Sequence, residues 1–253
     1  MSSINAPGAL IVSEHDPRDS RPVRRQFRNV LLFFWSPAEL FERLREKPEW
    51  LVAFLCVSAI TIVITLAMQP FTMRIVELST PPGMSPEKLD QFYGQVKLFQ
   101  YAGLALVPAV ILAKCLLSAG LLSTLMVLFA GDSSFKANFS LFNHVGLIPA
   151  LQSAVSLLVL GLRGLDEVRG PLDLRVSMGL NMIIRPQNLA LDAVLNSVNI
   201  LDIWYLVALI IAVRSLVKCS RLQASLAAGS FWLFTVALQV GLVVIGSHSV
   251  PGK

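Results

Sequence analysis

The sequence predicts an all-α integral membrane protein, a bundle of five transmembrane helices preceded by an interfacial amphipathic helix. Of its 253 residues, 55% are hydrophobic and 15% are charged, whereas ordinary globular proteins carry about 25% charged residues. The mean hydropathy of +0.66 is too high for a soluble domain with one anchor, because the polar domain would dilute it. Five apolar runs are each long enough to cross a hydrocarbon core of about 30 Å.

Residues 1–35 have the composition of a disordered, basic cytoplasmic tail. Their early part has few apolar side chains to bury, and such segments do not form a core of their own. The basic residues of this tail are Arg18, Arg21, Arg24, Arg25 and Arg28. We expect them to be attracted to anionic lipid headgroups.

Residues 36–50, SPAELFERLREKPEW, predict an amphipathic helix lying flat at the membrane surface. Ser36, followed by proline, forms a capping box with Glu39. The interfacial residues are Ser36, Leu40, Phe41, Leu44 and Trp50. The three apolar ones share one helical face, and the tryptophan marks the depth at which the chain turns into lipid. A helix docked on another protein is the alternative explanation of the same pattern.

The apolar runs define a membrane domain over residues 51–246. Its spans lie at about 51–69, 101–130, 139–162, 198–213 and 224–245. The fourth span has a second possible start near Leu191. Ser85 and the proline after it predict a helix that runs on into the second span. Polarity alternates over residues 172–182, which indicates either a half-buried strand in a loop or chance.

The distribution of lysine and arginine predicts the orientation. With the amino terminus inside, the cytoplasmic segments hold twelve of these residues and the opposite side holds eight. Because the cytoplasmic side carries the excess, we expect a cytoplasmic amino terminus and a carboxyl terminus outside.

No catalytic, metal or cofactor site is predicted. The three cysteines and three histidines are scattered along the sequence, whereas a metal site needs N and S ligands at short spacing. The P-loop, G-x-S-x-G and H-E-x-x-H patterns do not occur. Basic patches interleaved with aromatic residues are also missing, so nucleic acid is not an expected partner.

Two ionisable residues inside the spans form the candidate polar pair. Lys114 lies near the middle of the second span and Asp202 lies on the fourth. An unpaired lysine at mid-bilayer costs about 2.5 to 3.5 kcal/mol on insertion scales, so a partner or a wet cavity is expected. The pair would line a proton- or ion-sensitive pocket, or it would be structural. A lysine satisfied by Gln152 or by backbone carbonyls is a further alternative.

Small residues recur at every fourth position of the third span, at Gly146, Ala150 and Ala154. This spacing lets helix backbones approach closely. It suits packing within the bundle and also suits a homo-oligomer.

The order of these features resembles the Yip domain family, five-span membrane proteins that interact with Ypt/Rab GTPases, and particularly its bacterial branch. The stretches that carry the resemblance are SPAELFERLREKPEW before the first span and LDIWYLVALIIAVRSLVKCSRLQA at residues 201–224. The resemblance implies a five-helix bundle with a cytosolic amino terminus in the bacterial inner membrane. For eukaryotic members it implies vesicle traffic through GTPase binding, a pathway that bacteria lack.

These observations together predict a non-catalytic protein that acts by interaction or by organising the membrane. Its partners would be the lipid bilayer and membrane or cytoplasmic proteins, docked on the interfacial helix and basic tail. The alternative is a permease for small solutes or a lipid-translocating protein with a polar path around Lys114 and Asp202. Broken helices lining a cavity are common in transporters.

Overall fold

The computed structural model describes residues 22–81 and 83–248, and within these ranges the chain is helical with no strand. The helices are α1 Pro22–Trp35, α2 Pro37–Glu46, α3 Leu51–Ala67, α4 Gln69–Ser79, α5 Pro86–Phe129, α6 Phe135–Val145, α7 Leu147–Arg163, α8 Asn181–Ile184, α9 Leu189–Asn196, α10 Ile200–Val217 and α11 Arg221–His248. Two short 3-10 turns, Leu165–Glu167 and Pro171–Leu174, lie between α7 and α8.

Within the described residues, four helical segments are long and apolar enough to cross a membrane: α5, α6 together with α7, α10 and α11. Helices α3 and α4 supply a fifth when they are taken as one span, bent by 43°. The bend falls where Pro70 begins the second half, because proline has no N–H for the preceding turn. The prediction of an all-α membrane bundle is confirmed, with four to five spanning segments.

Helix α5 contains the second span and is much longer than a bilayer requires. Its 44 residues extend over about 66 Å at 1.5 Å per residue, so roughly half of the helix projects beyond the hydrocarbon. The helix predicted to begin after Ser85 therefore does continue into the span.

The main core lies at the end of the bundle where the chain enters the first span. Helix α10 is at its centre, packed against α11, α2, α6 and α7. Leu209, Ala212 and Val213 of α10 are fully buried there. Small residues bring the neighbouring helices close, since Ala119 of α5 and Ala224 and Ala228 of α11 are also fully buried.

The disordered tail predicted for residues 1–35 is wrong over its second half, because residues 22–35 form α1. Residues 1–21 lie outside the described part of the chain. Helix α1 is ordered by tertiary contacts with α3 and α2, and Phe33 and Asn29 are buried in those contacts.

The apolar face of α2, predicted to lie against the membrane surface, packs against protein instead, and the depth of α2 in the membrane stays a prediction. Leu40, Phe41 and Leu44 are fully buried, because this face packs against α10 and α6 of the same chain. Ser36 is the N-cap residue as predicted, but its side chain makes no capping hydrogen bond. The expected capping box is therefore not formed, and Glu39 instead pairs with Arg43 at 2.6 Å.

Between the third and fourth spans the structure decides between the alternatives that the sequence left open. Residues 172–182 form no strand; a 3-10 turn and the start of α8 occupy this segment. The fourth span begins at Ile200, and α9 is a separate helix ahead of it. The break has a local cause, since the Asn199 side chain caps α10 by accepting from Leu201 N and Asp202 N at 2.9 Å.

Candidate functional site

A cavity of about 280 Å³ lies midway along the spans, between α3, α5, the α6–α7 junction and α10. We call it the midspan cavity. Its polar lining residues are Thr61, Lys114, Ser118, Asn143, Ser153 and Tyr205, and its apolar or small ones include Val57, Val110, Ile111, Phe142 and Ala150. At 1.5 Å per residue, Lys114 is about 22 Å from the Phe129 end of α5, and Tyr205 is about 18 Å from the end of α10. The cavity is therefore deep in the hydrocarbon region.

Lys114 brings a positive charge to this cavity without a counter-charge from the protein. Among the described residues it forms no ion pair or hydrogen bond. An uncompensated lysine at this depth costs about 2.5 to 3.5 kcal/mol. The site is thus suited to a group of opposite charge.

Asp202, the predicted partner of Lys114, is held by other groups. Its carboxylate accepts a hydrogen bond from Asn199 Nδ2 at 2.5 Å and interacts with the Gln152 side chain. In the described ranges no ion pair within 4.0 Å joins it to Lys114. The structure therefore separates two residues that the sequence suggested as a pair. Gln152, which the sequence suggested as an alternative partner for Lys114, interacts with Asp202 instead.

Asn143 lines the midspan cavity and has one unsatisfied polar atom. Its side chain is 1% exposed, and Nδ2 donates to the Phe139 carbonyl at 2.7 Å. Its Oδ1 is buried without a hydrogen-bond partner. Because leaving a buried acceptor unpaired costs about 1 to 3 kcal/mol, this atom is a strong candidate for contact with a bound molecule.

The shape of the cavity follows from a break in the third span at Gly146. A Cβ atom there would lie 3.1 Å from the Phe142 carbonyl oxygen of α6, closer than an ordinary contact, and at an ordinary contact distance of 3.7 Å from Val57 Cγ2, so glycine suits the turn between α6 and α7. Pro149, three residues later, has no N–H for the carbonyl of the preceding turn. The broken helix therefore lines the cavity with backbone as well as side chains.

The three predicted packing residues have different positions around this break. Gly146 and Ala150 line the midspan cavity, and Ala150 is buried. Ala154 is half-buried further along α7. Since α7 packs against α3, the small-residue spacing serves helix packing within one chain. Self-association through the same residues stays a prediction.

A second polar cluster joins α1 to the start of the first span. The guanidinium of Arg25 forms an ion pair with Glu49, whose side chain is only 9% exposed. Asn29 Nδ2 donates to the same carboxylate at 3.2 Å. Arg45 of α2 donates to the Ser215 carbonyl of α10 at 3.3 Å. We call α1 and α2 the N-terminal platform, and these contacts fix it to the bundle.

The outer faces of the N-terminal platform differ in chemistry. On α1, Phe27, Leu31, Phe34 and Trp35 are exposed, and Trp35 is 84% exposed. On α2 the exposed residues are Ala38, Glu39, Glu42, Glu46 and Lys47. One helix thus presents an apolar face and the other a charged face. Trp50, predicted to sit at the interface, packs its ring 5.2 Å from that of Phe139.

No group of three histidine, cysteine, aspartate or glutamate residues suited to a metal ion occurs among the described residues. His144 is buried, with Nδ1 at 2.8 Å from the Ser140 carbonyl oxygen. It is therefore held by its own helix.

Sequence reasoning missed two of these features, although both left a signal. Asn143 stands in an apolar run just before Gly146 and Pro149, and a polar residue beside a helix break often lines a cavity. Phe27, Leu31 and Phe34 recur at helical spacing, which indicates an amphipathic helix where a disordered tail was predicted.

The chain was also compared with known proteins. A family model described as the Yip1 domain matches residues 31–243. This range covers α2 to α11 almost completely, together with the last five residues of α1. No curated protein and no solved structure matches.

Proposed function

This chain belongs to the Yip1 domain family, and from that premise we propose that it is a non-catalytic interaction or membrane-organising protein. It is a multi-pass membrane protein with four to five candidate spanning segments. The observation that carries the proposal is the N-terminal platform, whose two outward faces differ in chemistry while its inner faces are buried in the bundle.

The exposed face of α2 is suited to a protein partner. Its apolar side is used inside the chain, so only charged residues and Ala38 are available outside. Glu42 and Glu46 lie one turn apart on this face, and Glu46 has a side chain 79% exposed. Carboxylates at the spacing of one helical turn complement a basic surface patch, which gives orientation and a faster encounter.

The exposed face of α1 is suited to the bilayer surface. Phe27, Leu31 and Trp35 offer apolar area, and Arg24 beside them is exposed. Interfacial helices combine these two residue types, because the apolar side chains enter the acyl boundary while arginine meets anionic headgroups. In this proposal α1, rather than α2, is the interfacial helix.

The proposed location is the bacterial inner membrane with the N-terminal platform in the cytoplasm. The excess of lysine and arginine on the platform side supports this orientation. The charged face of α2 would then be presented to cytoplasmic or membrane proteins.

The test is site-specific photo-cross-linking in cells from position 42 of the full-length chain. Deleting residues 1–50 is a poor test, because it would remove Leu40, Phe41 and Leu44 from the core. Reversing the charge at Glu39, Glu42 and Glu46 instead leaves the buried face intact. In the charge-reversed form position 42 is already substituted, so the photo-cross-linker is placed at the exposed Ala38. The otherwise unchanged chain is probed from Ala38 as well, so that the two can be compared.

The proposal expects a defined partner whose cross-link is lost in the triple charge reversal. The matched control reverses the exposed Asp166 and Glu167 at the other end of the bundle, and it should keep the cross-link. Capture of the same proteins by wild type and the triple variant would contradict the proposal.

Transport is the second candidate function, and the midspan cavity is the observation that favours it. A polar path would join Lys114 to Asp202 through the lining of α10. Flux of a solute or lipid in liposomes should then fall when Lys114→Leu and Asp202→Asn are combined. Flux that survives both substitutions would exclude this candidate.

A further inference from the structure

The midspan cavity opens sideways, toward lipid. Three of its lining residues, Val110, Lys114 and Ser153, are exposed on the outside of the bundle. The first two are on α5 and the third is on α7, two helices that share few contacts. An opening at this depth faces hydrocarbon, so a ligand would enter from the bilayer and must be lipid-soluble over most of its length.

The polar groups of the cavity define the headgroup of such a ligand. Lys114, at the opening, supplies a positive charge that no described residue neutralises. Asn143, which also lines the cavity, has a buried acceptor with no donor. A matching headgroup therefore carries one negative charge and one hydroxyl donor. Ser118 and Tyr205, which also line the cavity, add hydroxyl groups that can donate to the anion.

The volume limits how much of the ligand is enclosed. About 280 Å³ is at the small end of ligand pockets, which run from about 300 to 1,000 Å³. This space suits a headgroup and the first part of a chain. The remaining acyl chain would stay in the bilayer, beside Val110 at the opening.

We infer that the midspan cavity binds the headgroup of an anionic lipid that carries a single phosphodiester charge and a free hydroxyl. Lys114 pairs with the phosphodiester and Asn143 Oδ1 accepts from the hydroxyl. The lipid has either one acyl chain or two, with the same headgroup chemistry. This inference is independent of the N-terminal platform, and it requires binding only, without translocation.

The experiment measures lipid binding to the purified full-length protein by native mass spectrometry from detergent micelles. The probes are phosphatidylglycerol, phosphatidylmethanol and phosphatidylcholine. Phosphatidylmethanol keeps the phosphodiester charge but has no hydroxyl, and phosphatidylcholine has no net charge. We expect phosphatidylglycerol to bind most tightly, about fivefold tighter than phosphatidylmethanol, because one neutral hydrogen bond is added. Lysophosphatidylglycerol distinguishes the one-chain from the two-chain source.

Two substitutions separate the two contacts. Lys114→Met should weaken phosphatidylglycerol binding about tenfold, because a charge-assisted contact is lost. Asn143→Leu should abolish the preference over phosphatidylmethanol and leave phosphatidylmethanol binding unchanged. Lys97→Met is the matched control, since Lys97 is an exposed lysine of the same helix outside the cavity.

The inference is overturned if Lys114→Met binds phosphatidylglycerol as tightly as the wild type, or if Lys97→Met loses as much binding. Equal binding of phosphatidylglycerol and phosphatidylmethanol by the wild type would overturn the role of the hydroxyl. Asn143 is buried, so its variant is first checked for an unchanged melting temperature. Because Lys114 is exposed, the Lys114→Met test holds even if the Asn143 variant is destabilised.

Discussion

The side chain of Gln26 accepts a hydrogen bond from the backbone N–H of Val52 at 3.2 Å, so α1 caps the first transmembrane helix. The first N–H groups of a helix have no partner within it, and Trp50 at the N-cap of α3 offers no side-chain cap. Gln26, 26 positions earlier in the chain, supplies that partner. This contact, together with the Arg25–Glu49 ion pair, makes α1 part of the membrane domain.

Breaking the Arg25–Glu49 ion pair should loosen the N-terminal platform. Glu49→Gln removes the charge from a side chain that is 9% exposed and breaks its ion pair with Arg25, whose side chain is 29% exposed. We expect a loss of about 1 to 3 kcal/mol in the free energy of unfolding, measured by chemical denaturation in detergent. Glu46→Gln, at 79% exposure, should change it by less than about 0.5 kcal/mol. Equal effects would show that the ion pair is not structural.

The buried face of α2 gives a second prediction. Leu44 is fully buried against the bundle, so Leu44→Ala should cost about 2 to 5 kcal/mol of unfolding free energy through lost burial and a cavity. Leu31→Ala on α1 is the control, because Leu31 is 62% exposed. If the two substitutions cost the same, the apolar face of α2 lies in the headgroups after all.

The outward face of α1 should contact lipid at the headgroup depth. A variant that keeps Trp35 and replaces the other three tryptophans with phenylalanine reports on this face by fluorescence. Quenching by lipids brominated near the headgroup should exceed quenching by lipids brominated at the chain end, since interfacial helices bury only about 5–10 Å. Quenching only by aqueous iodide would place the ring in water.

The bent α3–α4 pair decides the parity of the spans. If it crosses the bilayer, the number is five and reporter fusions at residues 1 and 253 should lie in opposite compartments, with residue 1 in the cytoplasm. Alkaline phosphatase and a fluorescent protein that folds only in the cytoplasm make the two readouts complementary. Both termini in one compartment would mean that α3 and α4 form a re-entrant loop, leaving four spans.

The segment before the fourth span depends on one glycine. A Cβ atom on Gly179 would lie 2.4 Å from the Leu195 carbonyl oxygen and 2.7 Å from that of Asn196. Because these are backbone atoms, Gly179→Ala should destabilise the docking of α9 by about 1 to 3 kcal/mol, visible as faster hydrogen exchange in residues 178–198. Gly170→Ala has open space and should leave the exchange unchanged.

The sequence predicted the spans more accurately than the segments around them. Spans are fixed by composition, because backbone groups in hydrocarbon must pair within a helix, and the predicted runs fall on α3, α5, α6–α7, α10 and α11. For residues 172–182 the sequence left a strand or chance open, and the structure has no strand there, because alternating polarity in a loop is also compatible with 3-10 turns and short helices. The fourth span begins at Ile200 and not near Leu191 because the Asn199 side chain caps it. That capping role was not recognised in the sequence.

The candidate sites depended more on the tertiary structure. Lys114 was singled out correctly as an ionisable residue inside a span, because burying charge in lipid is expensive. The sequence could not show whether Lys114 contacts Asp202. The rise per residue gives the depth of each side chain, but it does not give the rotation of one helix about its axis relative to another. That rotation brings Lys114 and Asn143 to the same cavity and brings Asp202 near Gln152, whereas the contact of Asp202 with Asn199 is local to the start of α10.

The sequence by itself determined that this chain crosses a membrane in apolar helices and that α2 is amphipathic, because hydropathy and helical spacing are local properties. Only the tertiary structure decided what each amphipathic face touches. Burying an apolar stripe contributes a similar free energy whether it contacts lipid or protein. The pattern alone therefore does not determine which of the two it contacts. Packing against α10 buries α2, the contacts of Gln26 and Arg25 order α1, and the exposed stripe on α1 is left facing outward.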